Sequence, residues 1–205
     1  MPTDTFYNLK PDKKRRVIDA TLKELSTHPY EHVNLANIIR DSNIARGSFY
    51  QYFIDKDDLY MYFITYISEI KQSVYKDIFD LNSDISFLDR YKKLYLRGYD
   101  FFEQYPNHVK AGYYVTQSSL FKSSDLYKKS VDVGTKFFEQ LINIDKERNI
   151  IRKSIDSKVL AEFLMTYMNQ ISIDDYLLNK ESKKELERKI SSIINMIKGG
   201  IENNV

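Results

Sequence analysis

Apolar residues recur every three or four positions along most of the chain, which is the spacing of one face of an α-helix. One such run comprises Leu59, Phe63, Ile67, Ile70, Val74 and Ile78. Another comprises Phe87, Tyr91, Leu94, Tyr95, Gly98, Phe101, Phe102 and Tyr105. No segment alternates apolar and polar residues as a strand would, and all four prolines lie at or before Pro106. The pattern predicts an all-α protein with about nine helices.

Polar residues that favour helix ends divide this pattern. Residues 55–58 and 182–185 each resemble a capping box, in which side chains at both ends of a short segment satisfy N–H groups of a starting helix. Residues 105–107 mark a break between helices, and the charged run 145–149 is predicted to be an exposed turn. The predicted helices are short before residue 54 and long after it. We therefore expect an N-terminal domain over residues 1–55 and a larger helical domain over residues 56–205.

Two of the short helices are separated by a tight turn within the segment LANIIRDSNIARGSFYQYF, residues 35–53. The turn falls at residues 41–43, where Asn43 is the residue best able to adopt a left-handed conformation. The helix that follows would bury Phe49 and Phe53. Two short helices joined in this way form a helix-turn-helix, whose second helix reads DNA.

The second helix would then turn polar side chains away from the core. Its outward positions are Arg46, Gly47, Ser48, Tyr50, Gln51 and Tyr52. Arginine can pair with guanine or phosphate, glutamine with adenine, and serine and tyrosine with phosphate oxygens, while Gly47 lets a backbone lie close. Lys56 follows at the start of the next helix, where a cation and free N–H groups favour phosphate. An ordinary solvated helix face would have a similar composition, so the residue types alone leave both interpretations open.

The charge distribution favours the DNA interpretation weakly. The whole chain carries a net charge of +2, but residues 10–56 hold nine basic and six acidic residues and therefore carry +3. The sequence has no cysteine, which excludes thiolate metal sites, and its three histidines are too scattered to suggest a metal centre. It has neither an apolar run long enough for a membrane span nor a secretion signal. We therefore expect a cytoplasmic protein with no cofactor and no membrane partner.

Residues 13–63 closely resemble the DNA-binding domain of TetR/AcrR-family transcriptional regulators. The resemblance is carried above all by residues 43–53, NIARGSFYQYF, followed by Lys56-Asp57-Asp58-Leu59. It implies a phosphate contact from Asn34, and contacts with phosphates or base edges from Arg46, Ser48, Tyr50, Gln51, Tyr52 and Lys56. Asn37 would face outward one turn after Asn34 and could also reach a base. It also implies dimeric binding to a pseudo-palindromic operator in double-stranded DNA. Two residues depart from the family pattern: Ala45 replaces a Ser or Thr that often caps the reading helix, and Ile54 replaces a common basic residue.

Members of this family usually carry a ligand cavity among their C-terminal helices, and ligand entry shifts the helix that follows the DNA-binding domain. In this chain that helix would span residues 56–79. Aromatic candidates for the cavity are Tyr66, Tyr95, Tyr99, Phe102, Tyr113, Tyr114, Phe137 and Tyr167. The resemblance and these residues together imply a small-molecule effector that is apolar or aromatic. Aromatic residues at helical spacing also serve as plain core, and that alternative stays open.

The last two predicted helices carry wide apolar stripes, which could cover a core on one side and a second subunit on the other. The expected interface residues of a homodimer are Phe163, Tyr167, Ile171, Ile190, Ile193, Ile194 and Ile197. The alternative is that both stripes face a single core.

The sequence as a whole predicts a homodimeric DNA-binding repressor that a small molecule releases from its operator. Asp174-Asp175 could serve acid–base chemistry, but no nucleophile or glycine-rich phosphate loop accompanies the pair, so an enzyme is not expected. The alternative from another class is a helical protein-interaction module whose helix-turn-helix no longer binds DNA. Only Ala45 and Ile54 support that alternative.

Overall fold

The computed structural model describes residues 2–81 and 84–201, apart from the side chains of residues 170–173. Within these residues the chain forms eleven α-helices and one 3-10 turn, Tyr30–His32. The α-helices are α1 (Asp4–Tyr7), α2 (Pro11–Leu25), α3 (Leu35–Asp41), α4 (Arg46–Tyr52), α5 (Lys56–Tyr75), α6 (Phe87–Gln104), α7 (Pro106–Gln117), α8 (Ser119–Ser123), α9 (Asp125–Glu147), α10 (Ser157–Leu177) and α11 (Lys183–Ile201). The predicted all-α fold class is confirmed. The two helices beyond the expected nine are α1 and α8, which are too short to produce a periodic apolar pattern.

The helices pack into two compact units. Unit 1 comprises Met1–Ser73 and Tyr105–Ser124, and unit 2 comprises Val74–Gln104 and Asp125–Val205. Most of α5 therefore belongs to unit 1, and only its last residues belong to unit 2. This division by packing is distinct from the expected functional domains, residues 1–55 and 56–205, which stay a prediction.

The core of unit 1 is built where α2 packs on α3 and on α7. Val17 and Leu25 on the inner face of α2 are 0% and 2% exposed, and Ile38 of α3 is 0% exposed. The turn between α3 and α4 contains Asn43, whose φ of 52° confirms the predicted left-handed conformation. The N-terminal part of the chain is thus a helix-turn-helix with α4 as its second helix.

Both predicted capping boxes are present, at the starts of α5 and α11. Asp55 Oδ1 accepts the N–H of Asp58 at 2.8 Å, and Asp58 Oδ2 accepts the N–H of Ile54 at 3.1 Å. At α11, Ser182 Oγ accepts the N–H of Glu185 at 3.4 Å, and Glu185 Oε2 accepts the N–H of Ser182 at 2.9 Å. Hydrogen bonds from the hydroxyl and the N–H of Ser182 hold the pKa of Glu185 below its usual value. These contacts fix where the two helices begin.

The core of unit 2 is formed by α6, α9, α10 and α11. Side chains that are fully buried there include Tyr91, Ile142, Leu164, Leu186 and Ile190. The break predicted at residues 105–107 is present, since α6 ends at Gln104 and α7 begins at Pro106. The proline occupies the first turn of α7, where its missing N–H costs no helical hydrogen bond.

The charged run at residues 145–149 differs from its prediction as an exposed turn. Asp145 lies inside α9, is 2% exposed, and accepts the N–H of Phe87 at 2.6 Å. Burial raises the pKa of this carboxyl group. The prediction was wrong at Asp145 because this carboxylate satisfies a backbone donor at the start of α6. The turn itself comes later, at Asn149, whose φ is 59°.

Candidate nucleic-acid interface and regulatory sites

Helix α4 carries most of the predicted DNA-contacting side chains on one face. Phe49 and Phe53 are both 0% exposed, so the opposite face of α4 packs into the core of unit 1, as predicted. We call the outward residues the reading face; they are Arg46, Gly47, Ser48, Tyr50 and Gln51. All of these are exposed except Ser48, which is half-buried. A Cβ placed on Gly47 would meet nothing within 4 Å, so the surface at this position is open.

Tyr52 is the exception among the predicted contacts of α4. It is 1% exposed, although the sequence predicted an outward position. Its ring centroid lies 6.2 Å from that of Phe6 in α1, and Lys13 Nζ lies 5.6 Å from it. The prediction was wrong because α1, which the apolar pattern does not reveal, covers this side of α4. Tyr52 therefore packs between α4 and α1, and its side chain is not exposed on the surface.

The two helices of the motif begin differently. Asn34 is the N-cap of α3, and its Oδ1 accepts the N–H of Ala36 at 2.9 Å. Ala45 is the N-cap of α4 and provides no side-chain acceptor. Helix α4 therefore begins without a side-chain cap, and the N–H of Ser48 donates to the backbone oxygen of Ala45 at 2.9 Å.

A buried carboxylate fixes the start of α3. Glu24 is 7% exposed, and its Oε1 accepts the backbone N–H of Asn34 at 2.8 Å. Its two oxygens also accept from Asn37 Nδ2 at 3.4 and 3.3 Å. Asn37 is half-buried in this contact, so its amide is directed toward Glu24 and not outward as predicted. Asn34 is exposed at the end of the helix, as its predicted phosphate contact requires.

Lys56 begins α5 and is held by Tyr30. Its Nζ donates to the Tyr30 backbone oxygen at 3.2 Å and lies 4.3 Å from the centroid of the Tyr30 ring. The Tyr30 hydroxyl donates to the Asp57 carboxylate, and burial together with this hydrogen bond raises the pKa of Tyr30. An ammonium group has three N–H donors, so Lys56 can offer one to a phosphate while it keeps its contact with Tyr30.

The sequence of this helix-turn-helix matches a known family. Residues 17–62 match the family model described as "Bacterial regulatory proteins, tetR family". This segment is a tetR-family domain. The resemblance to TetR/AcrR-family regulators, predicted from residues 43–53, is thereby confirmed. Among curated proteins no relative matches the sequence.

Solved structures of transcriptional and metabolic regulators share the fold over almost the whole chain. A TetR family transcriptional regulator from Chloroflexus aurantiacus J-10-FL is 24% identical, with a TM-score of 0.77 over 100% of both chains. The fatty acid degradation regulator FadR from Bacillus halodurans is 15% identical, with a TM-score of 0.68 over 96% of this chain and 100% of the other. A putative fatty acid metabolism regulator of Clostridium perfringens is 19% identical, with a TM-score of 0.66 over 92% and 100%. The chain thus has the fold of TetR-family transcriptional regulators.

The aromatic residues predicted to line an effector cavity are divided between the two units of this tetR-family fold. Unit 1 holds Tyr66, Tyr113 and Tyr114. Unit 2 holds Tyr95, Tyr99, Phe102, Phe137 and Tyr167. In unit 1 the half-buried ring of Tyr66 has its centroid 6.1 Å from that of His108. Their role in ligand binding stays a prediction.

Three of the unit 2 aromatics surround Tyr176, a residue that was not among the predicted effector residues. The centroid of its ring lies 6.1, 6.2 and 6.5 Å from those of Tyr95, Tyr99 and Phe102, and we call these four residues the Tyr176 cluster. The Tyr176 hydroxyl donates to the backbone oxygen of Tyr95, and burial raises the pKa of Tyr176. A Cβ on Gly98 would lie 2.8 Å from Tyr176 Oη. This glycine, among bulky residues on one helix face, was the available sequence signal.

Asp175 anchors a buried polar network beside the Tyr176 cluster. It is 1% exposed, and its Oδ2 accepts the Tyr95 hydroxyl at 2.5 Å. Lys189 Nζ lies 2.5 Å from Asp175 Oδ1 and 3.5 Å from Glu181 Oε1. Burial and the hydrogen bond to Asp175 raise the pKa of Tyr95. Burial opposes the charge on Lys189, but Asp175 and Glu181 outweigh it and raise the pKa of the lysine. Asp175 is thus a paired counterion that joins α10 to α6 and α11.

The described ranges give little support for an enclosed ligand cavity, a membrane span or a metal site. Two open surface depressions of about 520 and 400 Å³ lie along α2 in unit 1, and neither is lined by a predicted effector residue. No helix within residues 2–81 and 84–201 has the length and apolarity needed to cross a membrane. Nor do three or more His, Asp or Glu side chains of these residues come together as metal ligands.

The predicted dimer interface is only partly available on the surface of unit 2. Phe163 of α10 is 58% exposed, and Val159 one turn before it is 60% exposed. The predicted residues Tyr167, Ile193 and Ile197 are half-buried. Ile190 and Ile194 are 0% and 4% exposed within unit 2, so the prediction that they face a second subunit was wrong. Helix α11 uses them against the core of its own unit, where α6 packs on it. Ile171 lies outside the described side chains.

Proposed function

We infer that this chain is a sequence-specific DNA-binding transcriptional regulator. The observation that carries this function is the reading face of α4, which is exposed on the side opposite Phe49 and Phe53. A second helix of a helix-turn-helix in this orientation can enter the major groove, where base edges present distinct hydrogen-bonding patterns. The tetR-family match over residues 17–62 supports the same function.

The residues of the interface have separate roles in this proposal. Arg46 and Gln51 are the candidates for base readout, because a guanidinium pairs with guanine and a carboxamide with adenine. Ser48 and Tyr50 donate to phosphates, which position the helix without specifying sequence. Asn34 at the start of α3 and Lys56 at the start of α5 add phosphate contacts. Gly47 leaves the space in which the DNA backbone approaches.

The regulator acts as a homodimeric repressor in the cytoplasm and has no catalytic role of its own. The exposed apolar pair Val159 and Phe163 supports a subunit interface on α10, because large apolar side chains this exposed gain free energy when a second subunit covers them. A two-fold dimer presents two copies of α4, and it therefore requires a pseudo-palindromic operator.

An apolar or aromatic small molecule releases the dimer from its operator. The predicted effector residues are aromatic, and two structural neighbours are named as regulators of fatty acid degradation or metabolism, so acyl compounds are the first effectors to test. The effector must favour one conformation of the dimer over the other, because equal affinity for both would leave the equilibrium unchanged. Native mass spectrometry of the purified dimer would identify a bound compound, and addition of that compound should release operator DNA.

Selection of duplexes from a random DNA library tests the DNA-binding function directly. We expect enrichment of a palindromic motif, with an affinity that falls steeply as salt increases because phosphate contacts release counterions. The selection is made with protein as purified and again after unfolding and refolding, which removes a ligand carried from the cell. If neither sample enriches a motif at low salt, the helical protein-interaction module replaces the DNA-binding function.

A further inference from the structure

The carbonyl end of α4 is held by a residue that precedes the tetR-family segment. Thr3 donates its backbone N–H to the oxygen of Tyr52 at 3.0 Å, and its hydroxyl donates to the oxygen of Gln51 at 2.5 Å. The last four carbonyls of a helix have no partner within the helix. Thr3 therefore satisfies two of these groups in α4. The hydroxyl does not cap α1, which begins at the next residue, so this hydrogen bond serves α4.

Helix α4 is short and has no side-chain cap at its first residue. It spans only Arg46–Tyr52, and its N-cap residue Ala45 provides no side-chain hydrogen bond. Helices this short are marginal in water, and contacts from other elements decide whether they form and how they are oriented. The contacts from Thr3 therefore act together with the buried side chains Phe49 and Tyr52 in determining the position of α4.

Phe6 attaches the same segment to unit 1. It is 0% exposed, and its ring centroid lies 4.8 Å from that of Phe53 and 5.2 Å from that of Tyr62 in α5. Lys14 Nζ of α2 lies over the Phe6 ring, 5.3 Å from its centroid. Helix α1 is therefore anchored to α2, α4 and α5 at once, although it has only four residues.

We propose that residues 2–9 form a clamp that positions the reading face, with Phe6 as its anchor and Thr3 as its contact with the end of α4. The clamp lies outside the residues that match the tetR-family model, 17–62. The expected effect of the clamp on DNA affinity rests on the proposed DNA-binding function. Its effect on the stability and position of α4 does not depend on DNA. Thr3 is a positioning residue, because it touches α4 and not the DNA.

Thr3→Val tests the clamp, because valine has the shape of threonine without the hydroxyl. Thr3→Ser keeps the hydroxyl and serves as the rescue. Thr5→Val makes the same change at an exposed position two residues away and serves as the matched control. All three are made in the full chain, with any affinity tag at the C-terminal end.

Two measurements separate the clamp from the DNA-binding function. Amide hydrogen exchange in the free protein should be faster across α4 and at Phe53 in Thr3→Val than in wild type, and unchanged in Thr3→Ser and Thr5→Val. Affinity for the selected duplex should fall about threefold to tenfold in Thr3→Val alone, as expected for one lost hydrogen bond. The dependence of affinity on salt should keep its slope, because no phosphate contact is removed.

The outcomes are distinguishable. Unchanged exchange in α4 of Thr3→Val overturns the clamp, whether or not the protein binds DNA. Faster exchange with unchanged affinity overturns the link between the clamp and the reading face. Faster exchange in a protein that selects no duplex supports the clamp on α4 and contradicts the DNA-binding function instead.

Discussion

The reading face of α4 and the Tyr176 cluster both contain tyrosine, but the tyrosine hydroxyl is exposed on the reading face and buried in the cluster. Tyr50 is 50% exposed, so water can solvate its hydroxyl. The hydroxyls of Tyr95 and Tyr176 are buried, and they donate to Asp175 and to a backbone oxygen. A buried polar group costs free energy unless it is paired, whereas an exposed one does not. Burial and pairing therefore distinguish a group available to a partner from a structural one, and residue type alone does not.

The largest effect is expected at the reading face. Replacing Arg46 and Tyr50 together by alanine should lower affinity for the selected duplex more than about hundredfold, because contacts to bases and phosphates each contribute about 1–3 kcal/mol. Fluorescence anisotropy gives the affinity, and sedimentation should show the same oligomer as wild type. Lys129→Ala, which removes one positive charge from an exposed site on α9, is the control. A loss below threefold in the double variant would remove the reading face from the interface.

The next effect tests whether the polar network of unit 2 is structural. Asp175→Ala removes the acceptor of the Tyr95 hydroxyl and leaves the Lys189 ammonium with only Glu181, at 3.5 Å. It should lower the free energy of unfolding by about 2–4 kcal/mol, somewhat less than for a wholly buried pair because the Lys189 side chain is 31% exposed. Urea unfolding followed by circular dichroism measures the change. The neighbouring Asp174→Ala, which is half-buried, should change stability by less than about 0.5 kcal/mol. Equal effects of the two variants would contradict the network.

A pair of glycine substitutions compares packing against Tyr176 with packing in an open position. Gly98→Ala places a Cβ 2.8 Å from the hydroxyl of Tyr176, which is 4% exposed and donates to the backbone oxygen of Tyr95, so we expect a loss of about 1–3 kcal/mol. Gly112→Ala in α7 meets nothing within 4 Å and should stabilise the protein by about 0.5–1 kcal/mol through helix propensity. Thermal unfolding of both variants shows the signs. A stabilising Gly98→Ala would mean that the Tyr176 cluster is loosely packed.

The smallest effect concerns pH and His108 in unit 1. Burial lowers the pKa of His108, although Asp19 opposes this shift, and the ring lies against Tyr66 and Tyr105. The unfolded chain then binds the proton more readily than the folded one, so stability is lost as pH falls through the unfolded pKa of about 6.5. Urea midpoints at acidic and neutral pH should differ less in His108→Gln than in wild type. An equal difference would show that other groups cause the pH dependence.

The helix-turn-helix could be predicted because each of its parts has a local sequence signal. Asn43 at the turn and the aromatic spacing of Phe49 and Phe53 specify the two helices and their buried side. Tyr52 was assigned wrongly because the element that covers it, α1, is four residues long and has no period. A helix face can be inferred from spacing, but the number of elements packed on that face cannot.

Unit 2 could be predicted only as helices. The apolar stripe of α11 does not reveal whether Ile190 and Ile194 face their own unit or another subunit, since both contacts require apolar residues at the same spacing. The pairing of Asp175 with Lys189 and Tyr95 joins residues far apart in sequence. Such contacts depend on how α6, α10 and α11 pack, and no spacing within one helix records that.

The contact between Lys56 and Tyr30 has a further consequence for affinity. A lysine free in water samples many rotamers, and fixing it on a ligand costs up to about 2 kcal/mol of conformational entropy. Lys56 has already lost much of this freedom, because the ring and the backbone oxygen of Tyr30 hold its ammonium group. A phosphate that reaches the start of α5 therefore meets a preorganised cation, and the ordering of the side chain takes place when the protein folds and not when it binds.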